Sequence, residues 1–197
     1  PAERENDYRR EHGLTGKTVV MYAGNVGFSQ SLDLVLAAAA HHAHDPDVVF
    51  VINGGGSARP GLERAAAGLA NVRFVDMAPQ ARLPEVAAAA DVPVVPLKAG
   101  LARSSVPSKL YTILAAGRPV VASVDPGTEV ANTVETAGAG LTVAPDDPEA
   151  FTKAISRLVQ APDEARAMGE RGRAFVEQWA SPAAVADVLR ASAVDLG

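Results

Sequence analysis

Thr18-Val19-Val20-Met21-Tyr22-Ala23-Gly24-Asn25-Val26-Gly27-Phe28-Ser29-Gln30-Ser31 is the stretch that decides the fold. Its first six residues are apolar on both faces, as expected of a strand covered by helices on each side. A glycine-bearing turn follows and opens onto a helical pattern near Leu32–His42. The same alternation recurs down the chain. Strands are expected at Thr18–Ala23, Val48–Ile52, Val72–Val75, Val92–Val95, Val120–Ser123 and Leu141–Val143. Helical patterns fall near Leu62–Leu69, Leu83–Ala90, Ser108–Ala116 and Val130–Ala137. Short strands alternating with helices joined by right-handed crossovers predict a doubly wound α/β domain, a parallel sheet of about six strands.

Punctuation agrees with this reading. Gly117 before Pro119 is a helix stop, Asp147-Pro148 reads as a cap followed by a first-turn proline, and Ser181-Pro182 repeats that start. Beyond the last strand the chain becomes helical, near Pro148–Gln160, Asp163–Trp179 and Pro182–Val194. That helical C-terminal tail exceeds what one sheet edge needs, so part of it is expected to pack against something else. Residues 1–16 are charged, and Tyr8–His12 reads as a helix or tether, a linker remnant before a domain at 17–197.

Composition narrows the function classes. The chain has 197 residues, 48% hydrophobic, with no cysteine and a formal net charge of -5. No disulfide or thiolate metal site is available, and no general attraction to nucleic acid follows from that charge. Any anionic ligand must be held locally. No stretch approaches the roughly 20 apolar residues of a membrane span, and no charged-then-apolar leader opens the sequence, so a cytoplasmic protein is expected.

Ligands of open parallel sheets bind at the carboxyl ends of the strands, near the point where strand order reverses. Four loops are therefore candidates: 24–31, 53–60, 76–82 and 97–108. In the first, free N–H groups at the following helix start suit a phosphate, although neither a dinucleotide fingerprint nor a P-loop is present. A plain capped turn is the alternative. Gly54-Gly55-Gly56-Ser57 permits close backbone approach to a ligand, or is simply a surface turn. The fourth loop combines Arg103, Ser104, Ser105, Ser108 and Lys109 with a helix N-terminus, and Lys109 is one of four lysines in the chain. A lysine one turn into such a helix reaches a diphosphate as a compact charge. Glu129, after Gly127-Thr128, either binds a sugar or ribose diol or supports the next helix start. His41, His42 and His44 end a helix, where they complement its dipole, and no metal site is expected. Asp45-Pro46-Asp47 precedes a strand and so lies at the amino edge. Phe175 and Trp179 are read as packing anchors.

With these residues in view, the chain resembles the C-terminal, donor-binding domain of glycosyltransferase family 4, group 1, over about Lys17–Trp179. The resemblance is carried by Val20-Met21-Tyr22-Ala23-Gly24-Asn25-Val26-Gly27-Phe28-Ser29-Gln30, Ala90-Asp91-Val92-Pro93-Val94-Val95-Pro96-Leu97, the run from Pro107-Ser108-Lys109 to Val120-Val121-Ala122, and Gly127-Thr128-Glu129-Val130. It implies a Rossmann-like half of a GT-B fold, with a missing N-terminal acceptor-binding domain as partner. It also implies a retaining transferase that moves a sugar, often N-acetylated, from a UDP-sugar to a cell-surface glycan or lipid-linked acceptor. The nucleotide-sugar is then a substrate, no cofactor is implied, and the full-length protein touches the inner membrane face peripherally. The isolated domain is expected to be inactive. The family's usual arginine and lysine after the first strand fall here on Asn25 and Gln30, and its usual pair of glutamates falls on Ser104 and Thr112. The resulting substrate-binding set is Gly24, Asn25, Gly27, Gln30, Gly54, Met77, Arg103, Ser104, Ser108, Lys109, Thr112 and Glu129, with catalytic residues unassigned. A GT-B-like nucleotide-sugar epimerase and a non-catalytic nucleotide-sugar-binding module are the alternatives.

Overall fold

The computed structural model describes residues 3–101 and 108–180. Six strands form one parallel sheet: β1 (Thr18–Ala23), β2 (Val48–Asn53), β3 (Val72–Val75), β4 (Val92–Pro96), β5 (Val120–Ser123) and β6 (Gly140–Val143). Their spatial order is β3-β2-β1-β4-β5-β6, so the order reverses between β1 and β4. This is the doubly wound α/β architecture that the alternating pattern predicts. Each strand is as short and apolar as the sequence indicates. β2 and β4 run one residue further than expected and β6 starts one residue earlier, because ladder pairing continues to Asn53, Pro96 and Gly140.

Helices cover both faces: α1 (Asp7–Glu11), α2 (Asp33–His41), α3 (Arg59–Ala65), α4 (Leu83–Ala89), α5 (Ser108–Ala115), α6 (Glu129–Ala137), α7 (Pro148–Gln160) and α8 (Pro162–Ala180). The stop at Gly117, with α5 ending at Ala115, and the start at Asp147-Pro148 act as read, while Ser181-Pro182 lies outside the described residues. Asp147 caps α7 by accepting from Ala150 N at 2.9 Å, Pro148 takes the first turn, and Gly138 ends α6 in the left-handed conformation. α3 begins three residues before the expected Leu62, because Pro60 belongs to its first turn, and it ends at Ala65, before Gly68 with φ of 96°.

One face buries Val20, Tyr22, Phe50 and Ile52 under Val35, Ala38 and Ala39 of α2 and Phe151, Ile155 and Leu158 of α7. Each side chain fully buried there contributes roughly 1.5–3 kcal/mol. α7 is therefore part of the core, and α8 packs across α5 and α6 with Phe175 and Val176 against Leu114 and Val134. This corrects the expectation of a surplus tail for these two helices; Pro182–Val194 lies outside the described residues. The opposite face is divided. Val19, Met21, Val49 and Val51 pack with Val86 and Ala89 of α4 and Tyr8 and Leu14. Leu97, Val120 and Ala122 pack separately with α5 and α6. The gap between these two clusters positions the site.

Residues 3–16 pack into the domain rather than trailing from it. Arg9 is fully buried and donates to Asp91 Oδ2 at 2.5 Å and to Ala89 O at 2.9 Å. Arg4 Nε donates to Asp91 Oδ1 at 2.5 Å, and the Val19 amide donates to Asp91 Oδ2 at 2.8 Å. A buried guanidinium is tolerable only when paired and hydrogen-bonded in this way. The Asp45-Pro46-Asp47 turn lies at the amino edge as expected, with Asp47 paired to Lys17 at 2.8 Å.

Candidate functional site

A cleft of about 420 Å³ lies between α4 and α5 at the carboxyl ends of β1 and β4, the switch point of the sheet. Its walls are largely apolar, with Met21 and Pro93 of the sheet, Leu83, Val86 and Ala87 of α4, and Leu110 and Ile113 of α5. Polar groups gather at its mouth. Gly24, Asn25, Gln30, Met77, Ser108, Lys109 and Thr112 of the expected set all line it.

The loop after β1 is sewn onto the end of β4. Ser31 N donates to Pro96 O at 3.0 Å, Lys98 N donates to Ser29 O at 3.1 Å, and Gln30 bridges Leu97. Ser31 Oγ also donates to Asp146, whose other oxygen accepts from Ala99 N at 3.2 Å. These hydrogen bonds, that from Ser31 foremost, hold the Asp146 carboxyl below its ordinary pKa. Gly24 has φ of 148°, and a Cβ there would collide with Lys109 Nζ. Gly54 has φ of 157°, and a Cβ there would strike the Gly24 carbonyl. The backbone conformation at both positions favours glycine, and at Gly54 the close approach of the Gly24 carbonyl excludes any side chain.

Lys109 is an exposed residue whose ammonium end is nonetheless enclosed. Nζ lies 5.1 Å from the centre of the Tyr22 ring and donates to Tyr22 Oη at 3.2 Å. Tyr22 Oη in turn donates to Asn25 O at 2.6 Å. Desolvation at this end lowers the lysine pKa, and burial raises that of Tyr22. No ion pair to Lys109 forms among the described residues. An enclosed cation with no counter-charge, beside the N-terminus of α5, favours an anion on both counts.

The remaining expected residues divide. Asn25 Nδ2 and Oδ1 fill the space above Gly27 and Gly56, while Gln30 Nε2 donates to Ser29 Oγ at 3.2 Å. Thr112 Oγ1 donates back to Ser108 O at 3.0 Å. Gly27 lines a neighbouring recess under exposed Phe28, and Gly54 supports the cleft through Gly24 without lining it. Glu129 also lies off the cleft. It sits exposed in the first turn of α6, accepts from Tyr111 Oη at 3.3 Å, and leaves the capping to Thr128. Arg103 and Ser104 lie outside the described residues.

Two polar lining residues were not singled out by the reading of the sequence. Tyr22 looked like one more apolar strand position. Asn53, nearly fully buried at the end of β2, accepts from Tyr8 Oη at 2.7 Å through its Oδ1. The only signal was a polar residue closing an apolar run at the carboxyl edge. Of the histidines, His42 is buried at the end of α2 with Nε2 2.9 Å from Ser156 Oγ, and desolvation lowers its pKa.

Comparison with known proteins places this geometry. Residues 17–161 match the family model described as glycosyl transferases group 1. The chain is 33% identical over 149 residues to WcaI of Escherichia coli (strain K12), assigned to colanic acid biosynthesis as a glycosyl transferase, covering 74% of the chain and 36% of the relative. It is also 33% identical over 194 residues to D-inositol 3-phosphate glycosyltransferase 2 of Catenulispora acidiphila, covering 90% and 44%. Among solved structures, Anabaena Alr3699/HepE in complex with UDP superposes with a TM-score of 0.70 at 17% identity, covering 87% of this chain and 47% of that one. The chain thus spans less than half the length of these relatives.

Proposed function

The chain belongs to the glycosyl transferases of group 1, and from that membership we propose that it is the C-terminal, donor-binding half of a retaining family 4 enzyme of the GT-B type. The complete protein transfers a sugar, an N-acetylated hexose, from a UDP-sugar to a cell-surface glycan or lipid-linked acceptor. The observation that carries this reading is the enclosed Lys109 ammonium, which forms no ion pair among the described residues, over Gly24 at the sheet's switch point. The UDP bound to the HepE structure supports a uridine nucleotide.

In this reading the diphosphate lies between Lys109 and the α5 N-terminus. Positive charge and preorganised N–H groups stabilise the departing diphosphate as the anomeric carbon becomes cation-like. Asn25 and Gln30 supply neutral hydrogen bonds where the family more often has cations. Thr112 lines the cleft and takes the ribose or sugar hydroxyl in preference to Glu129, which does not. The base enters the apolar part of the cleft against Met77 and Leu83. Acceptor binding belongs to the rest of the enzyme, so this half alone does not transfer, because juxtaposing both reactants supplies much of the rate advantage. The setting proposed is the cytoplasm, with peripheral contact at the inner membrane face. No helix among the described residues is long and apolar enough to cross a membrane.

Calorimetry with UDP-, GDP- and ADP-sugars tests the donor. Preference for UDP-N-acetylhexoses is expected; equal binding of all three, or none, refutes it. The neutral Asn25 and Gln30 favour one second reading, a binding module without catalysis. A complete protein with normal donor affinity and no transfer to any acceptor would establish that reading instead.

A further inference from the structure

The opposite edge of the sheet carries a second unbalanced charge. Arg118 sits between α5 and β5, at the amino ends of the strands, beside a pocket of about 290 Å³ that is also lined by Arg4, Thr18, Asp91, Gly117 and Arg166. The carboxylate of Asp91 is already saturated, accepting from Arg4, Arg9 and the Val19 amide. Glu5 accepts from Arg4 and Arg9. Arg166 has an exposed partner, Asp163, at 2.8 Å. Arg118 has none of these: it forms no ion pair among the described residues, and its Nε is buried without a hydrogen-bond partner. Desolvation lowers its pKa; Asp91 opposes that effect, and the charges of Arg4 and Arg9 add to it. A buried donor left unmatched is costly, and Arg118 is itself among the residues lining the pocket.

We propose that this amino-edge pocket is an anion site, taking a small phosphate-bearing molecule between the guanidinium groups of Arg118 and Arg166. Three arginines against one aspartate line it. Arg4 and Arg166 already face Glu5, Asp91 and Asp163, so Arg118 is the lining cation left without an ion pair among the described residues, and its planar fork matches two phosphate oxygens. β1 separates this pocket from Lys109 by its six residues, about 20 Å at strand rise, so the two anion sites are distinct. The recessed position selects a free small molecule over a headgroup held in a bilayer.

Titration of inorganic phosphate into the full chain at constant ionic strength, followed on the arginine Nε–Hε resonances, tests the site. The Arg118 resonance is expected to shift saturably, with chloride giving no such shift. Arg118→Gln should abolish phosphate binding at this edge, and Arg166→Gln should weaken it about tenfold. Lys109→Met should leave the Arg118 response intact while weakening UDP binding roughly 10- to 150-fold, which separates this site from the donor reading. Arg118→Gln should unfold no more easily than the parent without phosphate, since it removes an unmatched cation. If that variant does not fold, the exposed Arg166→Gln decides. An Arg118 resonance indifferent to phosphate, or a response only to anionic vesicles, overturns the proposal.

Discussion

Replacing Lys109 by methionine separates what the lysine does for a ligand from what it does for the fold. The methionine keeps an unbranched apolar stem but removes the ammonium that lies 3.2 Å from Tyr22 Oη. That ammonium forms no ion pair among the described residues, so a diphosphate oxygen arriving there would gain the whole interaction. The Coulomb energy of one unit pair at 4 Å is about 4 kcal/mol at an effective dielectric of 20. The net worth of a charge-assisted hydrogen bond, after desolvation, is about 1.5–3 kcal/mol. UDP affinity should therefore fall roughly 10- to 150-fold. Stability without ligand should not fall, because burial already disfavours the charged lysine: its folded pKa lies below its unfolded one. For the same reason the parent should gain stability as pH rises through that lowered value, and the variant should lack this gain. Calorimetric titration with UDP, paired with urea unfolding across pH, measures both effects. UDP affinity within twofold of the parent would refute the reasoning, and so would a variant markedly less stable than the parent without ligand.

Tyr8→Phe removes the hydrogen bond to Asn53 at 2.7 Å and leaves a buried acceptor unmatched. Unfolding should cost about 1–3 kcal/mol less than in the parent, and UDP affinity should drop as the cleft floor loosens; unchanged affinity would separate Asn53 from the site. Asp91→Ala strands the fully buried Arg9 guanidinium. Chemical denaturation should show a loss of about 3–5 kcal/mol, and a loss under 1 kcal/mol would show that Glu5 and the carbonyls suffice. Asp146→Asn removes an acceptor whose folded pKa lies below the ordinary 3.8. The carboxylate's contribution is fully present above that ordinary value and is lost as pH falls through the lowered one. The variant should thus be less stable than the parent at pH 7 and equal to it in strong acid, and a pH-independent difference would contradict this.

The strands were legible because each is a short β-branched run, and the four inner ones, β1, β2, β4 and β5, are buried on both faces while the edge strands β3 and β6 are only half-buried, a pattern few loops or helices imitate. Caps were legible where their chemistry is local, as at Asp147-Pro148 and at the stop before Gly117 and Pro119. α3 was placed too late because Pro60 and Gly61 read as loop residues although they occupy its first turns. Lys109 stood out for its position after a helix-opening serine. What stayed hidden is long-range polar pairing. Tyr8 with Asn53 and Arg9 with Asp91 join positions 45 and 82 residues apart, and no periodicity encodes that. The same pairs turn residues 3–16 from an apparent linker into a buried support for α4. Glu129 and Lys109 follow different strands, β5 and β4, and only β4 borders the switch point, so of the two readings open for Glu129 the helix-start one matches its place in α6.

The most direct test of the donor-site assignment is an amide and side-chain NMR titration of the chain with UDP. Saturable shifts are expected, confined to Gly24, Asn25, Met77, Leu110, Thr112 and the Lys109 ammonium, around the cleft between α4 and α5. Saturable binding that leaves these residues unmoved, or no binding at all, would contradict that assignment.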